Sequence, residues 1–196
     1  MSSRTVDKQL AGERGELYVF GELLKRGMVS YVPLVKEGVD ALVRTATGAV
    51  IEIQVQATGS AGGKYPCWFQ MGHLEPRKNF MIIGVEFEEG DPKCAWIFPS
   101  IVFDKFATNP ANGTPRDLNL EVGVKKYGMP MKYLLCGFRD RWELIVDFAR
   151  FEGLMQSPDD LVDMLTVLEA KESGDVAISL KDYERGKQRP IRSPFA

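Results

Sequence analysis

Six residues, IEIQVQ at 51 to 56, restrict this chain more than any other stretch. Ile51, Ile53 and Val55 alternate with Glu52, Gln54 and Gln56, which is the period of a strand and not of a helix. Just upstream, GVDALVRTATG supplies a second short apolar run before a polar turn. The two runs, 40–44 and 49–57, read as a β-hairpin closed by TATG. One face of the second strand is branched and apolar. The other presents three carbonyl-bearing side chains and no cation. A sheet with one solvated face accounts for that pattern taken alone. Asp40 changes the weighing, because the hairpin brings it alongside the polar row, next to a glycine that permits close approach.

Upstream of the hairpin, ERGELYVFGELLKRG predicts a helix over 13–27. Val19, Phe20, Leu23 and Leu24 recur at helical spacing, and Gly27 suits the C-terminal cap. On a helical wheel Glu16 falls about 40° from Phe20 and about 20° from Leu23 and Gly27, inside the apolar stripe. Glu22 falls on the solvent side. A carboxylate on a buried face is costly unless a cation or hydrogen-bond donors meet it, so Glu16 is either a buried ion pair, a helix-end cap or a ligand.

The remaining segments fill in one mixed fold. MVSYVPLV reads as a short strand that Pro33 confines to an edge. TGSAGGKYP is a glycine-rich loop but not a phosphate-binding P-loop: Lys64 would need glycine at position 58, which is Thr58, and serine or threonine at position 65, which is Tyr65. NFMIIGVEF and CAWIFPS are apolar enough for central strands, separated by the turn EEGDPK. The stretch 107–130 is loop-rich. RDRWELIVDFARFEGLM predicts a second amphipathic helix with Trp142, Ile145, Phe148 and Ala149 on one side. A third helix starts at Ser157 as N-cap, with Pro158, Asp159 and Asp160 in its first turn, a stripe of Leu161, Met164, Leu165 and Leu168, and Gly174 at its end. DVAISLKDY adds a last strand. A soft boundary near Ser157 divides a core, 1–156, from a helix-strand extension and basic tail, 157–196, whose helix offers a homodimer contact.

Composition excludes several classes. The 196 residues suffice for one sizeable core. No stretch is apolar and long enough for a membrane span, and MSSRTVDKQL lacks the apolar segment of a secretory signal, so the expectation is a cytoplasmic protein. Cys67, Cys94 and Cys136 are odd in number and widely spaced, as reduced core residues are. A single histidine, His73, argues against a Cys/His zinc site. The net charge of −2 gives no whole-surface signature of nucleic-acid binding, although a local groove can still be basic. The one basic cluster, Arg185, Lys187, Arg189 and Arg192, reads as a solvated tail.

Asp40, Glu16 and oxygens from the 52–56 strand can converge on one spot. Carboxylates, amides and carbonyls suit Mg²⁺ or Mn²⁺ and not zinc. Such an ion activates a water and offsets charge on a phosphate. GERGELYVFGELLKRG, GVDALV and GAVIEIQVQ together resemble the PD-(D/E)XK nuclease superfamily. The similarity is to the branch of small nuclease-like proteins whose third strand reads apolar-Gln-apolar-Lys, and it covers roughly residues 10 to 100.

The resemblance implies a restriction-endonuclease-like mixed central sheet flanked by helices in αβββαβ order, with Mg²⁺-dependent hydrolysis of DNA phosphodiesters. By that resemblance Glu16 matches the helix glutamate, Asp40 the hairpin aspartate and Gln54 the Glu/Gln position. Gln56 stands where the superfamily has its lysine. Metal ligands would then be Glu16, Asp40 and either Glu52 or Gln54, with Gln56 placing the water. Alternatively the pair shifts to Glu52 and Gln54, or the cation comes from Lys64 or Lys78. Two functions follow: a metal-dependent DNA nuclease with a degenerate site, or an inactive nuclease-fold module that binds nucleic acid, DNA before RNA, or a protein partner. A purely structural interaction protein is the third reading.

Overall fold

The computed structural model describes residues 3–35, 37–58, 67–108, 116–124 and 129–173. The basic tail, Lys64 and the strand expected at DVAISLKDY lie outside the described residues. Helix α1 (Ser3–Lys25) is followed by the short strand β1 (Ser30–Tyr31) and the hairpin β2 (Ala41–Arg44) and β3 (Val50–Thr58). Next come β4 (Trp68–Met71), β5 (Phe80–Glu88), β6 (Asp91–Pro99), α2 (Ser100–Phe106), β7 (Arg116–Asn119), β8 (Gly123–Val124) and β9 (Met129–Pro130). The described chain ends with the short helices α3 (Met131–Leu134), α4 (Glu143–Val146) and α5 (Phe148–Phe151), then the longer α6 (Pro158–Ser173).

Among the described residues the main sheet has the order β1-β2-β3-β5-β6. Only β3 and β5 run parallel; the other neighbours are antiparallel. Strand β5 is buried from Phe80 to Phe87, as a central strand covered on both faces must be. Strand β6, expected to be central too, lies at the sheet margin. Asp140 covers that margin: its N–H donates to Ala95 O (2.6 Å), and its Oδ1 accepts the Ala95 N–H (2.8 Å). The expected edge strand at 28–35 is confirmed by β1.

Helix α1 covers the branched face of β3. Val19 and Leu23 are fully buried beneath it, and Gly15 lets the helix approach closely: a Cβ there would lie 3.0 Å from Ala57 Cβ and 3.5 Å from Val55 Cγ1. The helix stops at Gly27, whose φ of +73° only glycine adopts cheaply. The N–H of Met28 bonds Leu23 O, and that of Gly27 bonds Leu24 O, so two of the last carbonyls are satisfied. Two wheel assignments need correction. Leu24 is 65% exposed, not part of the stripe. Glu22 does not face open solvent: its side chain is 13% exposed and pairs with Lys25 and Arg26. The Lys25 ammonium, with Arg26 beside it, holds that carboxyl below the usual range.

The opposite face is packed by aromatics. Phe98 lies 5.6 Å from Phe138, 6.2 Å from Trp96, 6.3 Å from Phe103 and 6.4 Å from Phe69, ring centre to ring centre. The predicted helix over 139–155 is broken at Asp147, which carries a non-helical backbone. One straight helix with Leu144, Phe148, Phe151 and Met155 on one stripe would turn Trp142 to about the far side. The break lets all five be buried. Helix α6 starts where Ser157 and Pro158 place it. Leu161 and Leu165 are fully buried in the common core, with Met164 and Leu168 packed against it, and Arg141 ties the helix down through Glu169 and Glu172. The stripe is thus used internally, and a dimer through this helix has no support.

Cys67 and Cys94 are buried free thiols, as expected of core cysteines. Both meet Glu86 on β5, a buried carboxylate. Burial raises both thiols, Cys94 to about 12. Burial also pushes the Glu86 carboxyl up, but the Cys67 and Cys94 thiols and the Lys93 ammonium more than offset this, and the net direction is down. A carboxyl lowered by folding contributes stability above its unfolded pKa of about 4.3, and that contribution is lost as pH falls through the lower folded value. Glu86→Gln is therefore expected to melt below the wild type at pH 7, with the gap closing in strong acid. A gap that stays constant into acid would contradict the assignment.

Candidate active site

Strand β2 stops pairing at Ala41, while β3 runs on to Thr58 with no further strand partner on that side among the described residues. Asp40 occupies the margin this leaves. Its N–H donates to Ile53 O and its Oδ2 accepts the Val55 N–H, both at 2.8 Å. The carboxylate thus takes a strand N–H that no neighbouring strand meets, and it is held at the position beside Gln54. Gly38, two residues earlier, has φ +75°, and a Cβ there would lie 3.9 Å from Gln54 Oε1. The glycine is required by its backbone more than by space.

A cavity of about 380 Å³ opens on this polar face. Gln54 and Phe80 line it from the sheet, and Glu37 and Gly38 from the approach to β2. Gly72, His73, Glu75 and Arg77 line it from the connection between β4 and β5. His73 Nε2 sits 3.4 Å from Glu75, both largely exposed.

Arg77 is the residue that sequence reasoning passed over. Its guanidinium pairs with Glu52 and lies over the Phe80 ring, 4.9 Å from the centroid. Ser100, fully buried, fixes the backbone beneath: its Oγ accepts the Arg77 N–H (2.9 Å) and donates to Arg77 O (2.8 Å). Asn79 staples the same turn to β3 through Val50 O and the Glu52 N–H, each at 2.8 Å. The sequence EPRKNF offered two adjacent cations. Lys78, the one selected, pairs instead with Glu152 at 2.9 Å. The usable signal was register: β5 runs parallel to β3 with Phe80 beside Glu52, so the turn that leads into β5, Arg77 to Asn79, lies against Glu52.

The remaining positions divide between the two faces of β3. Glu16 is half-buried on α1, the helix that covers the Ile51–Ile53–Val55 face. Gln54 and Gln56 are half-buried on the other face. Gln56 shares a row with Gly84, above which lies the Phe69 ring. The structure therefore brings Asp40 to Gln54 and Glu52 to Arg77. Among the described residues, no three His, Cys, Asp or Glu side chains are grouped closely enough to form a closed metal cage. The donors present, an anchored carboxylate and a nearby amide oxygen, still fit Mg²⁺ or Mn²⁺. Mg²⁺ commonly keeps several waters and uses one or two carboxylates plus substrate phosphate.

No family model and no curated protein matches the chain. A solved structure does: a bacterial homing endonuclease, I-Ssp6803I, aligns at a TM-score of 0.51 and 17% identity, over 72% of this chain and 95% of its own. The fold is similar to that of this endonuclease. The expected mixed central sheet with flanking helices and a C-terminal helix is what the structure has. At that identity the likeness concerns the nuclease-like fold alone. No helix among the described residues is long and apolar enough to cross a membrane.

Proposed function

We propose that this protein hydrolyses DNA phosphodiesters with a divalent cation at the β2–β3 margin. The observation that carries the reading is the placement of Asp40: its carboxylate is fixed on the Val55 N–H, beside Gln54 and the cavity. Asp40 and Glu16, with the amide oxygen of Gln54, are the residues that would hold Mg²⁺ or Mn²⁺. The bound ion supplies charge neutralisation at phosphate and a more acidic water. Gln56 hydrogen-bonds and orients that water. Its oxygen bonds to phosphorus, the ester P–O bond breaks, and the proton given up by the water ends on the leaving oxygen. A glutamine offers no positive charge where the resembling superfamily has lysine, so turnover is expected to be slow.

A second reading has its own support. Glu52 is engaged by Arg77, and the Gln54/Gln56 pair is neutral, an arrangement suited to a module that binds nucleic acid without cutting it. Plasmid nicking with Mg²⁺ or Mn²⁺ separates the two. The wild type is expected to cut slowly and Gln56→Lys roughly tenfold faster or more, a lower bound for one restored electrostatic group. If the wild type and a folded Gln56→Lys variant bind DNA but leave plasmid and single strands intact in both metals, the binding module is correct.

A further inference from the structure

We infer that Arg77 is the phosphate-binding cation of the cavity, and that Glu52 occupies it until a phosphate displaces the carboxylate. The source of that phosphate, a nucleic-acid backbone, rests on the reading proposed above; the anion site itself rests on the geometry. A guanidinium offers five N–H donors in a planar fork that matches two phosphate oxygens at once. Among the described residues, the Arg77 side chain has one hydrogen-bond partner, Glu52, and it lines the cavity. Its anchor is rigid: Ser100 holds the Arg77 backbone at both its N–H and its C=O, and Phe80 supports the guanidinium from below. The fork is therefore positioned before any ligand arrives.

The Glu52 pair is suited to exchange. The Arg77 side chain is 44% exposed and that of Glu52 27%, and ion pairs of this exposure contribute little. A phosphate diester brings the same charge as the carboxylate, and further phosphates along a strand add to its attraction. Glu37 and Glu75 also line the cavity, yet both are exposed to screening solvent, and Glu75 is turned to His73. Glu52 is the acid in contact with the fork. It sets the threshold for anion entry and, once displaced, is released on the strand that carries Gln54. This assigns opposite effects to two neighbouring substitutions. Losing Arg77 weakens phosphate binding, whereas neutralising Glu52 strengthens it. Were Glu52 a metal ligand instead, neutralising it would weaken metal-supported binding.

The test uses the full chain and three variants, Arg77→Gln, Arg77→Lys and Glu52→Gln, each checked for an unchanged melt. Inorganic phosphate is titrated without metal while the Arg77 Nε–H resonance is followed. Duplex oligonucleotide binding is then measured across a salt series. Phosphate is expected to move the Arg77 resonance and to saturate at several-fold lower concentration in Glu52→Gln. Arg77→Gln is expected to weaken duplex binding roughly tenfold and to lower the salt slope by about one, and Arg77→Lys to restore the slope. An Arg77 resonance unmoved by phosphate, or a Glu52→Gln variant that binds phosphate less tightly, overturns the inference. If phosphate engages Arg77 but no nucleic acid binds, the anion site stands and the nuclease reading falls.

Discussion

Asp40→Asn is expected to lower metal-dependent DNA cleavage by about 10²-fold or more, the scale of losing one preorganised charged group at a reacting phosphate. The fold should survive, because an asparagine Oδ1 can still accept the Val55 N–H that Asp40 Oδ2 now accepts. That separation makes the variant informative. Millimolar Mn²⁺ is expected to raise the melting temperature of the wild type and to leave that of Asp40→Asn where it was, since an amide is a weaker ligand for a hard cation than a carboxylate. A variant that cuts at the wild-type rate would remove Asp40 from the chemistry. A wild-type melt indifferent to Mn²⁺ would remove the ion from the margin.

The second large effect lies on the same face of the sheet, one row along from Gln54. Gly84 lies on β5 between Gln56 and Trp96, and the fully buried Phe69 ring fills the space above it. A Cβ at position 84 would sit 2.8 Å from Phe69 Cδ1 and closer still to Cε1 and Cζ. The ring cannot withdraw, because Phe98 packs against it edge-on at 6.4 Å. Gly84→Ala is therefore expected to cost about 3 kcal/mol, the upper part of the overpacking range. For a chain of this length that is a fall in melting temperature of roughly 6–12 °C. Adding Phe69→Leu should return more than half of the loss, since the two sites share one volume. A Gly84→Ala protein that melts within about 2 °C of the wild type would mean that β4 does not lie where the structure puts it.

The hairpin was legible in the sequence because strict alternation and a short polar turn leave one arrangement of residues 40–57. Helix α6 was legible because Ser157, Pro158, Asp159 and Asp160 mark its start as clearly as its apolar stripe marks its inner face. The break at Asp147 was not. Trp142 and Ile145 share a plausible stripe with Phe148, and only the three-dimensional core reveals that Leu144 and Phe151 must be buried too. The short elements β4 and α2 carry too few residues for a period to show. At the candidate site, types and spacing singled out Asp40 and Gln54; Gln54 lines the cavity, and Asp40 is bonded to the Val55 N–H next to it. They did not find Arg77. Its partner, Glu52, is far away in sequence and adjacent only through the parallel β3–β5 register, which no local pattern encodes.

Asp40 closes an exposed stretch of strand as well as offering a carboxylate, and the two roles age differently. On the proposed reading, a descendant that no longer cut DNA would still need something polar at position 40 to meet the Val55 N–H and keep that margin from pairing with another strand. Selection for folding alone would preserve the aspartate or a close mimic of it. Gln54 and Arg77 have no such insurance. Their side chains line the cavity, so on the proposed reading drift at these two positions, not at Asp40, is where a lineage would first record the loss of a phosphate site.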